Sequence, residues 1–401
     1  MSFPPRDRVD VAVLGGGIAA LWLLDALDEA GYAAALIEPG RLGQGQTLSS
    51  QGIIHGGLKY TLRGLLHPSA DAVSAMPGRW RESLSGERRP DLRAVTVRSP
   101  STWLWRSASL RSQMAMLGAR TALRTKPIET APDERPAALA SAPGAVYRVD
   151  EPVVDTLSLV RAFASIHDRR MVAAEGVDAV TLTAPTRRGA PFEVACGPSG
   201  ARVLEADAVV LAAGAWNEAL RARLGLPTGR MQRRPLHMTL VRGDLPELHG
   251  HCVDGAATRV TITTSTDAAG RTVWQVGGQL AESGVERSPD DLLRRAAGEL
   301  AETLGSVDLR GAEWATYRID RAELATAGGA RPDDAQILED GPPGAITLWP
   351  TKLALAPRAA ERVLESLGRL GTPRSGRRPI DGPRPALGLP PWEGAAFRRL
   401  A

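Results

Sequence analysis

The sequence predicts an α/β fold in two parts. One is a doubly wound parallel sheet assembled from separate stretches of chain and flanked by a small β-meander; the other is a mixed α+β region on an antiparallel sheet. Three observations predict this. Val9–Leu14 is an apolar strand followed by Gly15-Gly16-Gly17, an apolar run to Ala30, a second apolar segment Ala33–Ile37 and an acid, Glu38. Ala206–Ala213 is a nearly unbroken apolar run that stops on Gly214, the pattern of a buried parallel strand. Between His237 and Ile319 the pattern changes to alternating strands, one pair joined as a hairpin across Asp267–Gly270.

Gly15-x-Gly17-x-x-Ala20 is a permitted form of the dinucleotide fingerprint of Rossmann-like sheets. Gly15 allows the tight turn, Gly17 lets backbone approach a pyrophosphate, and Ala20 lets the helix pack close on the strand. Ile18 and Ala19 open that helix, whose N–H groups and dipole favour phosphate. Glu38 falls about 20 residues on, where a carboxylate accepts hydrogen bonds from a ribose and disfavours a 2′-phosphate. The glycine-rich polar stretch from Pro39 to Tyr60 follows. It reads either as a surface loop or as backbone lying along a ligand. On the second reading Pro39, Gln46, Thr47, Ser49, Ser50, Gln51 and Gly52 join the cofactor contacts. Val177 and the strand end at Ala213, Gly214 and Trp216 are expected to complete them.

Along the chain, residues 61 to 90 read as mostly helical, Arg93–Arg98 and Thr102–Trp105 as strands, Leu110–Leu123 as a helix, and 127 to 144 as a loop. A strand ends near Asp155 and turns into a helix Thr156–Arg169. Met171–Thr183, Phe192–Cys196 and Arg202–Leu204 read as the meander. His237–Arg242 is a strand, Arg259–Thr264 and Thr272–Val276 the hairpin, and His249-Gly250-His251-Cys252 a loop with too few ligands for a metal. Ser288-Pro289-Asp290-Asp291 caps a helix that ends at Gly305. Glu313–Ile319 and Ala345–Trp349 are strands, and a helix runs from about Leu355 to Leu367. Residues 372 to 401, rich in Pro, Gly and Arg, form an extended arm or lack order.

The chain has 401 residues, 43% of them hydrophobic, and a formal charge of +4, enough for one large core or two domains. Arginine is scattered without a basic, aromatic-studded stripe, which speaks against nucleic acid. Two cysteines without a C-x-x-C, an N-terminus without a signal peptide, and no apolar run near the roughly 18 residues of a membrane span point to a cytoplasmic enzyme. Peripheral membrane contact stays open. Walker, H-E-x-x-H and G-x-S-x-G patterns are absent, and no metal site is expected.

Over residues 9 to 367 these features resemble the D-amino-acid oxidase (DAO) superfamily of flavoproteins. Ser49-Ser50-Gln51-Gly52-Ile53-Ile54-His55-Gly56-Gly57-Leu58-Lys59-Tyr60 resembles the S-S-x-x-x-H-G-G-L-R-Y segment of FAD-dependent glycerol-3-phosphate dehydrogenases, with one extra residue before the histidine. Thr351-Lys352-Leu353 with Pro357-Arg358 resembles their G-K-L-T-T-Y-R segment, and Tyr317-Arg318 falls where they carry a substrate arginine. Lysine replaces arginine at position 59, Trp349-Pro350-Thr351 replaces the second glycine motif, and their large C-terminal domain is missing.

The resemblance implies FAD as cofactor, with Pro350, Thr351, Lys352 and Leu353 added to its contacts. It implies an FAD-binding domain from residues 7–85, 148–232 and 338–371, a substrate domain from 86–147 and 233–337, and an arm at 372–401. It also implies oxidation of a CH–OH or CH–NH group of a small, anionic substrate by hydride transfer to flavin N5. His55 would take the substrate proton or orient the flavin. Lys352 would stabilise the reduced flavin, and Lys59, Tyr60 and Arg318 would bind substrate. An amino acid or secondary amine is an alternative substrate class, and a non-catalytic FAD protein or flavin subunit of a larger complex an alternative function. The electron acceptor (oxygen, a quinone or a carrier protein) and the oligomeric state are left open.

Overall fold

A computed structural model describes residues 6–57, 72–106, 128–142, 144–187, 189–197, 202–254, 257–305, 307–371, 373 and 379–400. The expected helix Leu110–Leu123, the stretch Leu58–Tyr60 and the first part of the 61–90 helical segment lie outside them. Among the described residues no helix is long and apolar enough to cross a membrane.

The strand Arg6–Leu14 lies at the centre of an eight-stranded sheet. Val11–Leu14 pair in parallel with Ala208–Leu211 on one side and with Ala34–Ile37 on the other. Met171–Ala173 extends the parallel sheet beyond Ala34–Glu38, and Ala345–Trp349 extends it beyond Arg202–Leu211. Because a strand alternates its faces, this one strand serves two cores. Val11 and Val13 pack with the helices Ile18–Glu29, Thr156–Ile166 and Ala356–Gly368, around Trp22, Trp80 and Phe163. Ala12 and Leu14 face Phe192, Val194 and Leu204 of the meander.

The meander differs in detail from its expected course. Met171–Ala173 belongs to the parallel sheet, and the antiparallel meander is Thr181–Thr183, Phe192–Cys196 and Arg202–Leu211. Arg202–Leu211 is one strand, carried through Glu205 and Asp207 because their side chains sit at its outer end in ion pairs with Arg6 and Arg8. Of the Arg93–Arg98 segment only Val97 and Arg98 are strand, in the short Val97–Ser99.

Nine strands form the second sheet, all antiparallel to their neighbours except Gly250–Asp254 beside Thr102–Arg106. That parallel pairing overturns the loop reading of residues 250 to 252. Cys252 lies between Trp105 and Val260, so an apolar ladder, invisible to local composition, holds it extended. Met231–Gly243 and Glu313–Leu324, both longer than expected, make the longest pairing. The hairpin forms as read, with Thr264 opposite Trp274. Helix Pro289–Leu304 covers one face with Leu292, Leu293, Ala296 and Leu300, and the Ser288 hydroxyl accepts from the Asp291 amide at 3.2 Å.

The C-terminal segment straps both sheets. The Ala173 amide donates to Pro383 O and the Leu42 amide to Ala386 O, each at 2.8 Å. Arg398–Arg399 pair with Glu313–Trp314, and Trp392 is buried among Leu240, Val273 and Ala315. Polar composition hides this, because the strap is held largely by main-chain bonds. Trp392→Ala should therefore lower stability by about 3–5 kcal/mol, the cost of truncating a buried tryptophan; denaturant unfolding of the full chain measures it.

Candidate active site between the two sheets

The loop after Glu38 is held from both sides. On the nucleotide side, the Thr47 hydroxyl accepts from the Ile18 amide at 3.0 Å, joining the loop to the start of the fingerprint helix. Gly52 has φ +70°, and a Cβ there would lie 2.1 Å from Val154 O. Only glycine allows that approach, and through it residues 52 to 56 run antiparallel along 151 to 154. Val154 N donates to Gly52 O at 3.0 Å and Ile54 N to Pro152 O at 2.9 Å.

On the other side the loop is tied to the antiparallel sheet. Gln51 Nε2 donates to Thr261 O at 3.0 Å and to Gln275 O at 2.8 Å. In return Gln275 Nε2 donates to Ser49 O at 2.8 Å, and the Tyr317 hydroxyl donates to the same carbonyl at 3.1 Å. Gln275 also bonds Tyr317. Burial raises the Tyr317 phenol well above its ordinary pKa, so it stays a neutral donor.

Between these contacts lies a cavity of about 820 Å³, within the range of ligand sites. Of the residues expected to bind cofactor, Gly17, Ile18, Ala19, Glu38, Gln46, Thr47, Ser49, Ser50, Gln51, Gly52, Ala213, Gly214, Trp216, Pro350, Thr351, Lys352 and Leu353 line it. Gly15, Ala20, Pro39 and Val177 do not. Gly15 closes instead on the neighbouring strand end, where a Cβ would meet Ala212 O at 2.6 Å. Asn217, which sequence reasoning missed, is fully buried and fixes the Gly214 turn. Its Oδ1 accepts from the Ala213 amide at 2.7 Å and its Nδ2 donates to Leu348 O at 3.0 Å.

FAD fits this frame on two counts. A Cβ on Gly16 would lie 2.6 Å from Glu38 Oε2, so the turn stands directly beside the carboxylate. Glu38 itself is buried, and burial pushes its pKa up to about 7 even though the Gly40 and Gly16 amides donate to it. A buried carboxylate held high by desolvation is stabilised by further hydroxyl donors, which a ribose supplies.

His55 lines the same cavity, with Nδ1 3.2 Å from Glu151 Oε2. Lys352 does too, its ammonium donating to Asp333 O at 3.1 Å. The residue before it, Thr351, has φ +60°, a left-handed conformation costly for a β-branched residue. Threonine thus occupies a backbone site suited to glycine, and its hydroxyl donates to Pro350 O at 2.6 Å.

Arg318 reaches the cavity wall, but its guanidinium donates to Val285 O at 2.7 Å and Arg287 O at 3.3 Å. The turn after residue 284 thus takes two of its donors. By strand alternation Arg321, not Arg318, shares the face of Tyr317. Arg321 lines the cavity and pairs with Glu282 at 3.2 Å. Burial, and then the neighbouring Arg234 guanidinium, lower its pKa. Arg233, Arg331, Met238 and Thr261 are further lining residues without a sequence motif to mark them. Lys59 and Tyr60 lie outside the described residues.

The Glu38 environment carries a pH signature. In FAD-free protein the folded carboxyl holds its proton up to about pH 7, while the unfolded chain releases it near the ordinary 4.5. Its contribution to stability is therefore full below pH 4.5 and is lost as pH rises through 7, a change of about 3 kcal/mol. The melting temperature of apo wild type relative to Glu38→Gln should fall over this interval; a pH-independent difference would contradict the assignment.

The chain has relatives among known proteins. Residues 10–349 match the FAD dependent oxidoreductase (DAO) family. The "Probable FAD-dependent oxidoreductase PA4991" of Pseudomonas aeruginosa is 40% identical over 398 residues, 98% of this chain and 99% of that protein. Its crystal structure superposes with a TM-score of 0.82, at 38% identity, covering 98% of this chain and 99% of that one. At fold level, glycine oxidase from Geobacillus kaustophilus has a TM-score of 0.64 at 18% identity, covering 92% of this chain and 96% of its own. FAD-bound L-alpha-glycerophosphate oxidase from Mycoplasma pneumoniae has 0.63 at 12%, covering 94% and 100%. The chain is an enzyme of the FAD dependent oxidoreductase (DAO) family, with FAD as its cofactor.

Proposed function

We propose that the chain oxidises a CH–OH or CH–NH group of a small organic anion. FAD supplies the hydride acceptor at flavin N5. The carrying observation is the charge of the cavity wall: among the described residues six cationic side chains, Arg41, Arg233, Arg318, Arg321, Arg331 and Lys352, stand against three acids, Glu38, Glu282 and Asp320. Glu38 lies on the nucleotide side, and its raised pKa leaves it partly neutral near pH 7.

Arg321 is the arginine we assign to the substrate anion. Its planar fork suits carboxylate or phosphate, and the half-buried guanidinium beside Arg234 gains from added negative charge. His55 takes the hydroxyl or amine proton. Lys352, entering the helical turn Leu353–Leu355, supplies positive charge to a developing anion at the cofactor. Lys59 and Tyr60 remain candidates for the same anion on the strength of their motif.

The test is an anaerobic screen that follows flavin bleaching with glycine, L-proline and L-α-glycerophosphate, on which three structural neighbours act by name, beside larger hydroxy and amino acids and neutral amides or alcohols of matched shape. Compounds bearing a carboxylate or phosphate should bleach the flavin and their uncharged analogues should not; equal rates would overturn the anion reading. Arg321→Ala should lower kcat/KM for the active anion by an amount equivalent to about 2–4 kcal/mol, with Arg318→Ala smaller. Lys352→Met should lower the flavin potential and slow reduction roughly 10²-fold, the scale for losing one charge-stabilising group; stopped-flow reduction and a potentiometric titration measure both.

A further inference from the structure

We infer that Glu151 is the positioning residue of this site: it sets the tautomer of His55 and so decides which ring nitrogen can take a proton. The inference rests on the reading of His55 as proton acceptor given above.

Three observations carry it. The first is the backbone frame. The close approach of Gly52 to Val154 and the Ile54–Pro152 hydrogen bond set the register of two strands of chain almost a hundred residues apart in sequence, and that register brings Glu151 to His55 and Gly56. The second is division of labour within one carboxylate. Glu151 is buried. Its Oε1 accepts from the Gly56 amide at 2.6 Å, and its Oε2 lies 3.2 Å from His55 Nδ1. With Oε1 held by the main chain, the carboxylate is fixed in rotation, and because an ionised carboxylate can only accept, its second oxygen engages Nδ1 through an Nδ1–H. Imidazole protonated on Nδ1 carries its lone pair on Nε2. The third is the support behind the ring. The His251 ring lies 5.4 Å from that of His55, tilted by 31°. His251 is buried, with Nδ1 2.8 Å from the Thr261 hydroxyl, and Thr261 O is a carbonyl that receives the Gln51 amide. The histidine, its orienting acid and the loop clasp are thus one connected unit.

The proton balance is simple. The substrate O–H or N–H bond breaks, its proton bonds to Nε2, and the hydride leaves carbon for FAD. The resulting imidazolium is paired by the Glu151 carboxylate, which keeps its charge throughout.

A glutamine at this position is the informative change. Its carbonyl oxygen can still accept from Gly56, but the group facing His55 is then an NH₂ donor, which demands a lone pair on Nδ1 and moves the ring proton to Nε2.

The test uses FAD-loaded full-length protein with ¹⁵N-labelled histidine. The chain has six histidines, and the His55 signals are those missing in His55→Asn. Wild type should show His55 protonated on Nδ1, and Glu151→Gln should show the proton moved to Nε2. With the most active anion of the screen as probe, Glu151→Gln should slow flavin reduction by about 10²-fold or more at saturation with KM little changed, the pattern of a wrong tautomer. Wild-type His55 protonated on Nε2 would overturn the inference without any variant, and so would an unmoved tautomer in a folded Glu151→Gln. A stoichiometric divalent metal on the purified protein would also overturn it, since His55, Glu151 and His251 would then be ligands. If His55→Asn reduces its flavin at the wild-type rate while Glu151→Gln still inverts the tautomer, the base reading fails and the positioning inference stands.

Discussion

The reciprocal amide pair of Gln51 and Gln275 is the joint on which the site depends. Each side chain satisfies main-chain groups of the other's segment, Gln275 buried and Gln51 half-buried. A buried amide such as Gln275 tolerates few alternatives, because an unpaired one costs the full desolvation of its polar atoms. The pair converts a loop of the nucleotide-binding sheet into a wall shared with the antiparallel sheet. Without it the loop would keep its bonds along residues 151 to 154 but lose most of its ties to the antiparallel sheet.

The two cores explain why that joint can be small. Both faces of the parallel sheet are covered, and helix Pro289–Leu304 closes one face of the antiparallel sheet. The inner face of the second sheet is then left to polar and medium-sized side chains, Gln275, Tyr317, Thr261 and Met238, which touch the loop or line the cavity. The C-terminal strap adds a second tie, through Leu42 and Trp392. Two separate ties hold the sheets in register with each other while leaving the space between them for cofactor and substrate.

Charge follows the same division. On the nucleotide side a single buried acid, Glu38, sits beside backbone donors and is held partly neutral by burial. Across the cavity the wall is cationic and cross-linked by ion pairs such as Arg233–Asp320 and Arg321–Glu282. A dinucleotide's ribose hydroxyls suit the first environment.

The sequence by itself determined the fingerprint turn, the terminal acid, the later parallel strand, the hairpin and the capped helix. All of these are local: hydrophobic period, glycine punctuation and a capping serine act within one turn or one strand. It left the polar loop after Glu38 open between a surface loop and a ligand-lining backbone, since glycines beside polar groups are consistent with both. Tertiary structure alone decided the rest. Cys252 became strand because Trp105 and Val260 pair on either side of it, and the arm became a strap because distant carbonyls and amides receive it. The carbonyls of Val285 and Arg287 met Arg318 across the turn after residue 284, and Glu151 came to His55 through a backbone approach that only glycine permits. These outcomes depend on partners far away along the chain, and no local pattern of residue types records which partners will meet.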